Sequence, residues 1–316
     1  MTRPGELRAT GVSRAQFLRA TAAATVAATL GSTAFSASQD VQGSKMITRK
    51  IPTTGELLPV VGCGTWQGFG HAEGSAEYLR LPGVVDALFE AGGTVLDSSP
   101  MYGRSEKTTG ELLAKSKHRS KAFLATKVWT SGREAGIAQM NESFSLLGVS
   151  KLDLMQVHNL VDWQTHLRTL RGWKSQGKIR YIGITHYTPS AFREVEQVLR
   201  REQLDFLQIN YAYDDQSAAN TLLPLAADKG VAVLINKPFG GGELLRELRG
   251  KPLPGWAKEI DCASWAQVLL KFVLSNPAVT CVIPGTSRPE HMVDNARAGM
   301  GIIPEASFWR NRALGA

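Results

Sequence analysis

Cysteine is scarce in this chain, with only Cys63, Cys262 and Cys281 among 316 residues. None of the three forms a CxxC pair or sits at metal-ligand spacing, and an odd count excludes a fully paired disulfide framework. Cys63 and Cys281 lie in apolar, strand-like runs, so all three are expected to be inert thiols, with no metal. Dense runs of lysine and arginine are also missing. The formal charge of +8 therefore describes a solvated surface and an anionic ligand site, with no nucleic-acid partner. No apolar stretch is long and clean enough for a membrane span in the mature chain. No G-x-G-x-x-G follows the first strand-like run. Gly62-Cys63-Gly64-Thr65-Trp66-Gln67-Gly68 has a different spacing and leads into a loop, which disfavours a doubly wound dinucleotide-binding sheet. The same run carries no His-x-His, which disfavours a metal-dependent barrel hydrolase.

The first forty residues differ from the rest. Arg3, Arg8, Arg14 and Arg19 stand against only Glu6. Ser13-Arg14-Ala15-Gln16-Phe17-Leu18-Arg19 is followed by a weakly apolar stretch to Leu30 and small residues from Ser32 to Ser38. That order has the shape of an export signal. It resembles a twin-arginine signal with Ala15 in place of the second arginine. Residues 1–40 are thus read as a leader, with export machinery engaging residues 1–38. The protein is expected to be periplasmic or exported if the leader functions and cytoplasmic otherwise.

From Ile47 onward, short β-rich runs alternate with helix-period segments. The strand candidates are 60–65, 94–97, 123–128, 152–158, 179–185, 206–211, 231–236 and 279–284. Their near-continuous hydrophobicity suits parallel strands covered on both faces. Helices are expected at 82–91, 106–114, 134–147, 164–176, 189–199, 218–227 and 265–274, with Pro82 and Pro189 as first-turn prolines. Gly148, Gly177 and Gly230 read as helix stops. The polar strand-end positions 97, 127, 158, 185, 210 and 236 recur every 25 to 31 residues, the length of one strand–helix unit. Eight such units favour an α/β fold of the (β/α)₈ TIM-barrel type over residues 46–316, with the segment 47–59 as an N-terminal β-hairpin plugging its floor. The long connection 237–262 reads as a flap over a bound cofactor.

Barrel active sites are assembled at the carboxyl ends of strands. Asp97, Lys127 and His158 each end a strand, and Tyr102 follows Asp97 by five residues, on a short loop. Their shared chemistry is proton transfer to a carbonyl oxygen as hydride reaches its carbon. A free phenol has a pKa near 10, and a nearby ammonium lowers it. Asp97 would hold Lys127 charged, and His158 would share the substrate oxygen.

At these residues the sequence resembles the aldo-keto reductase superfamily, over roughly residues 46–295. The likeness rests on Val95-Leu96-Asp97-Ser98-Ser99-Pro100-Met101-Tyr102-Gly103 with Glu106, on Thr126-Lys127-Val128-Trp129, and on Leu152 through His158-Asn159. It implies a catalytic tetrad of Asp97, Tyr102, Lys127 and His158, with Tyr102 as general acid in reduction. It also implies contacts to a nicotinamide carboxamide from Asn159, Thr185, His186 and Gln208, and a loop over the pyrophosphate formed by Pro238, Phe239 and Gly240. Gly285, Thr286, Ser287, Arg288, His291 and Asn295 resemble the family's pyrophosphate and adenosine segment, with Arg288 facing a 2′-phosphate. Trp66 and Trp129 would wall the substrate pocket. Departures from the family pattern are His186, Gly285, His291 and Asn236, the last standing where an aromatic often stacks on the nicotinamide. NADP is the expected cofactor, with NAD the alternative, and the expected substrate is a small-molecule carbonyl or alcohol. Two other readings stand beside this one: a nicotinamide-binding sensor with little turnover, and a Schiff-base lyase using Lys127 or Lys237.

Overall fold

The computed structural model describes residues 45–312 and 314. The expected leader at 1–40 lies outside the described residues. The described residues open with a two-stranded antiparallel hairpin, β1 (Thr48–Lys50) and β2 (Leu57–Pro59). Eight parallel strands follow: β3 (Cys63–Gly64), β4 (Val95–Asp97), β5 (Phe123–Val128), β6 (Leu152–His158), β7 (Ile179–His186), β8 (Phe206–Asn210), β9 (Ala232–Asn236) and β10 (Cys281–Val282). They pair in chain order. Bridges Val61↔Val282 and Gly64↔Gly285 join the last strand to the first and close the barrel. At that seam a Cβ on Gly64 would sit 2.9 Å from the Ile283 carbonyl oxygen. Only glycine lets the two backbones approach so closely.

Helices α1 (Ala76–Glu90), α2 (Ser105–Lys115), α3 (Arg133–Leu147), α4 (Trp163–Ser175), α5 (Phe192–Arg201), α6 (Leu222–Asp228), α7 (Glu243–Glu247), α8 (Trp265–Leu274) and α9 (Pro289–Arg297) form the outer layer. The stops at Gly148, Gly177 and Gly230 all take positive φ, as a left-handed helix end requires. Pro82 departs from the first-turn reading. The helix starts six residues earlier, with Ser75 Oγ accepting from Tyr78 N–H, and Pro82 lies inside it. Its ring is exposed, so the missing N–H falls on the solvent side of the helix. The connection 237–262 departs from a plain flap as well. It carries α7 and a turn of 3₁₀ helix at Gly255–Ile260, and it buries Leu244, Leu248, Ala257 and Ile260 in the core.

Period-two alternation fixes which side chains enter the barrel. Val95, Phe123, Ala125, Leu154, Tyr181, Phe206, Ala232, Leu234, Cys281 and Ile283 fill it together with Ile51 and Leu58 from the hairpin. Both hairpin residues are essentially unexposed. Each contributes about 1.5–3 kcal/mol by leaving water. Polar pairs anchor the same floor: Thr54 Oγ1 lies 2.9 Å from the Tyr181 hydroxyl, and Glu56 takes Tyr181 and Arg180. Arg49 also donates to the Leu274 and Asn276 carbonyls, satisfying the end of α8 from the hairpin. Inside α8, Lys271 is fully buried, its ammonium held by the carbonyls of Ile260, Met300 and Ile302 at 2.8, 3.0 and 2.6 Å. The three cysteines are free and buried. Among the described residues, no helix is long and apolar enough to cross a membrane.

Candidate active site

The alternation that places Val95, Ala125 and Leu154 inside the barrel also turns Asp97, Lys127 and His158, two or four residues later, inward at its carboxyl end. There Lys127 Nζ donates to both Asp97 oxygens, at 2.9 and 2.8 Å, and to the Ser98 carbonyl at 2.6 Å. The ammonium is completely buried and its partner nearly so. Burial alone would strip the proton from Lys127, but the facing Asp97 charge reverses that, and its pKa stands above the ordinary lysine value.

Tyr102 is carried over this pair by the short loop after β4. Its own carbonyl accepts from Ser105 Oγ at 2.8 Å, and Ser105 also reaches the Thr65 carbonyl. The Lys127 ammonium lies 5.2 Å from the centre of the phenol ring, and the His158 ring stands edge-on at 6.0 Å. Lys127 does favour phenolate, as expected from the sequence. Burial outweighs it, however, and the net shift of the Tyr102 pKa is upward. At neutral pH the phenol is therefore protonated and suited to donate. His158 is pushed down to about 3 by burial and by the Lys127 charge, so it is neutral. Its Nδ1 lies 3.0 Å from Ser99 Oγ, a contact that holds the ring edge toward Tyr102.

Ser98, Ser99, Ser105 and Gln156 escaped the sequence reading. Gln156 was open to detection, because it lies two residues before His158 and so shares its inward face. Its amide donates to Gln208 Oε1 at 2.7 Å, and Gln208 Nε2 donates to Asp97 Oδ2 at 3.2 Å. Gln208 thus places its amide inside the barrel mouth, with one N–H on Asp97.

The remaining candidates ring the mouth. Asn159 follows His158 with φ +52, in a run of left-handed residues that includes Leu160 and Asp162. Such strain collects at functional sites. The Oδ1 atoms of Asn159, Asn210 and Asn236 are buried without partners, so the mouth offers unpaired amide acceptors of the kind a carboxamide N–H₂ would satisfy. Thr185 is buried beside His158 in register; His186 is half-buried, its ring stacked on Tyr187. Trp66 and Trp129 stand on the rim, 49% and 42% exposed. Phe239 packs into the core while Gly240, Gly241 and Gly242 all take positive φ. After β10, Gly285, Thr286, Ser287 and Arg288 lead into α9. Thr286 Oγ1 accepts from Arg288 N–H, and Glu290 and His291 lie in the first turn of α9, where backbone N–H groups have no intrahelical partner and suit a phosphate. Arg288 and His291 are exposed and Asn295 is buried.

Residues 60–308 match the model of the Aldo/keto reductase family. The chain belongs to that family. A methylglyoxal reductase of Escherichia coli is 28% identical, over 79% of this chain and 89% of its own length. The NADH-specific methylglyoxal reductase of the same organism is 26% identical, over 79% and 93%. Among solved structures, an aldo/keto reductase from Klebsiella pneumoniae in complex with NADP and acetate superposes with a TM-score of 0.68 at 25% identity, covering 80% of this chain and 89% of that one. As an aldo-keto reductase, this protein is an NAD(P)-dependent oxidoreductase on a (β/α)₈ barrel, acting on a carbonyl.

Proposed function

We propose that the enzyme reduces a small aldehyde or ketone to its alcohol, with Tyr102 giving the proton to the carbonyl oxygen. The observation that carries this reading is the buried Lys127–Asp97 pair set against a protonated phenol, 2.8–2.9 Å within the pair and 5.2 Å from ammonium to ring. Lys127 supplies positive charge where negative charge develops as the phenol lets its proton go. Neutral His158 offers a ring N–H to the same oxygen and so orients the carbonyl. The mouth is walled by Trp66 and Trp129, which suit an apolar substituent.

A bound nicotinamide supplies the hydride. The unpaired Asn159 and Asn236 oxygens and the Thr185–His186 strand end fit its carboxamide. The glycine flap at 240–242 and the N-terminus of α9 fit its pyrophosphate, and Arg288 fits a 2′-phosphate by its planar, doubly donating head. These contacts support NADP as the preferred cofactor, with NAD also accepted. The solved Klebsiella relative with NADP supports the same preference, and the NADH-specific relative supports the acceptance of NAD. The two methylglyoxal reductases support a short, reactive carbonyl as first choice of test substrate. The basic-then-apolar segment 1–38 supports a signal peptide and passage to the periplasm; fractionation of cells making the full chain tests it, and a wholly cytoplasmic product speaks against it.

Tyr102→Phe is the direct test. Turnover of NADPH with methylglyoxal should fall about 10²–10⁴-fold, the usual worth of a positioned acid, while NADPH still quenches tryptophan fluorescence with an affinity within twofold. Near-normal turnover in that variant would remove Tyr102 from the role.

A further inference from the structure

Beneath the ion pair lie two neutral amides that the proton-transfer step itself does not use. Gln156 on β6 is completely buried and Gln208 on β8 nearly so. Neither carries charge, yet both are aimed at the same carboxylate. Gln156 Nε2 donates to Gln208 Oε1 at 2.7 Å and stands 3.5 Å from Asp97 Oδ1; Gln208 Nε2 donates to Asp97 Oδ2 at 3.2 Å. The direction of this chain is fixed at its anionic end. Asp97 as a carboxylate only accepts, so Gln208 must present its N–H₂, and its oxygen then turns to Gln156. Holding that orientation leaves Gln156 Oε1 buried without a partner, a cost of the kind proteins accept where a polar network serves the site.

We propose that Gln156 and Gln208 form an amide relay that tunes the proton-donating strength of Tyr102 by holding Asp97 as an anion in one place. Both are positioning residues: they touch neither Tyr102 nor the reacting atoms. Gln208, oriented by the Gln156 donation to its oxygen, spreads the Asp97 charge and leaves more of the Lys127 field for the phenol. Without them Asp97 binds Lys127 alone, and the phenol becomes a weaker acid. The charged or titratable groups facing Tyr102 are Asp97 on β4, Lys127 on β5 and His158 on β6, with His186 behind His158 at the end of β7 and Glu106 of α2 behind Lys127. The relay alters none of their formal charges, so its effect is one of dipole direction.

The inference rests on Tyr102 as the proton donor, and its test separates the two claims. Gln156→Met, Gln208→Met and the double variant keep side-chain length while removing the amides. The readout is the pH profile of kcat for methylglyoxal reduction by the full chain, with NADPH saturating. Either single variant should move the basic limb up by at least half a pH unit and lower kcat about three- to tenfold at pH 7. The KM for methylglyoxal should stay within twofold in both. In the Gln208→Met background, adding Gln156→Met should shift the limb no further, because the relay is already cut. An unmoved limb in both single variants, or additive shifts, overturns the relay. If Gln208→Met instead raises the NADPH dissociation constant tenfold with the limb in place, Gln208 serves the cofactor and the relay is likewise overturned. Full activity in Tyr102→Phe sinks the parent reading whatever the glutamine variants do.

Discussion

Replacing Asp97 by asparagine removes the charge facing an ammonium that has no solvent exposure at all. Breaking a buried pair from one side costs roughly 3–5 kcal/mol, because the remaining charge is left uncompensated. The lysine has an escape, which is to fold without its proton. From an ordinary pKa near 10.4 that costs about 4–5 kcal/mol at pH 7, some 1.4 kcal/mol for each pH unit. The two routes are similar in size, so the destabilisation at pH 7 is about 3–5 kcal/mol, or roughly 6–20 °C in Tm for a domain of this class. The pH dependence has a definite sign. In the native enzyme the Lys127 pKa is raised, so its contribution is complete below the unfolded value and lost only as pH rises through the folded one. In the variant burial dominates and the folded pKa falls below the unfolded one, so the variant gains stability as pH rises toward 10. The gap between the two proteins should therefore narrow with pH. Urea unfolding followed by tryptophan fluorescence at pH 7, 8.5 and 10 measures it. A gap under about 1 kcal/mol, equal at all three pH values, would refute the reasoning. Asp97→Asn combined with Lys127→Met should recover most of the stability and none of the turnover.

His158, held near 3, contributes stability that is whole above pH 6.5 and is lost as pH falls toward 3, at up to about 1.4 kcal/mol per pH unit. His158→Asn should flatten the urea-midpoint profile between pH 6.5 and 4.5, and an unchanged slope would contradict it. Arg288→Ala should raise the NADPH dissociation constant about tenfold, roughly 1.4 kcal/mol, and leave the NADH constant within twofold; fluorescence titration with both nucleotides decides, and equal effects would remove the 2′-phosphate contact. Ile51→Ala, at the barrel floor, should cost about 2–5 kcal/mol by emptying a fully buried site, with kcat unchanged in the folded protein; a loss below 1 kcal/mol would mean the hairpin is dispensable there.

Much of this architecture was legible in the chain because strand alternation and unit length are local properties. The runs 123–128, 152–158 and 265–274 were delimited correctly from residue type alone. The convergence of Asp97, Lys127 and His158 followed from their shared position at strand ends. Partners set by tertiary contact were not legible. Ser99 meets His158 across 59 residues and Gln208 meets Asp97 across 111. Pro82 misled because a proline is a strong start signal, while the weaker Ser75 cap seven residues upstream is the one used. The net direction at Tyr102 was also hidden, since it turns on how much burial opposes Lys127, a quantity that exists only once the barrel closes. Lys271 is similar: a lysine in an apolar helix reads as surface, and only folding brings three carbonyls to it.

Ile51 and Leu58 join the strand side chains that fill the barrel at the end away from Tyr102. Stability and chemistry are thereby lodged at opposite ends of the same eight strands, so the floor can be repacked while the mouth keeps its proton donor.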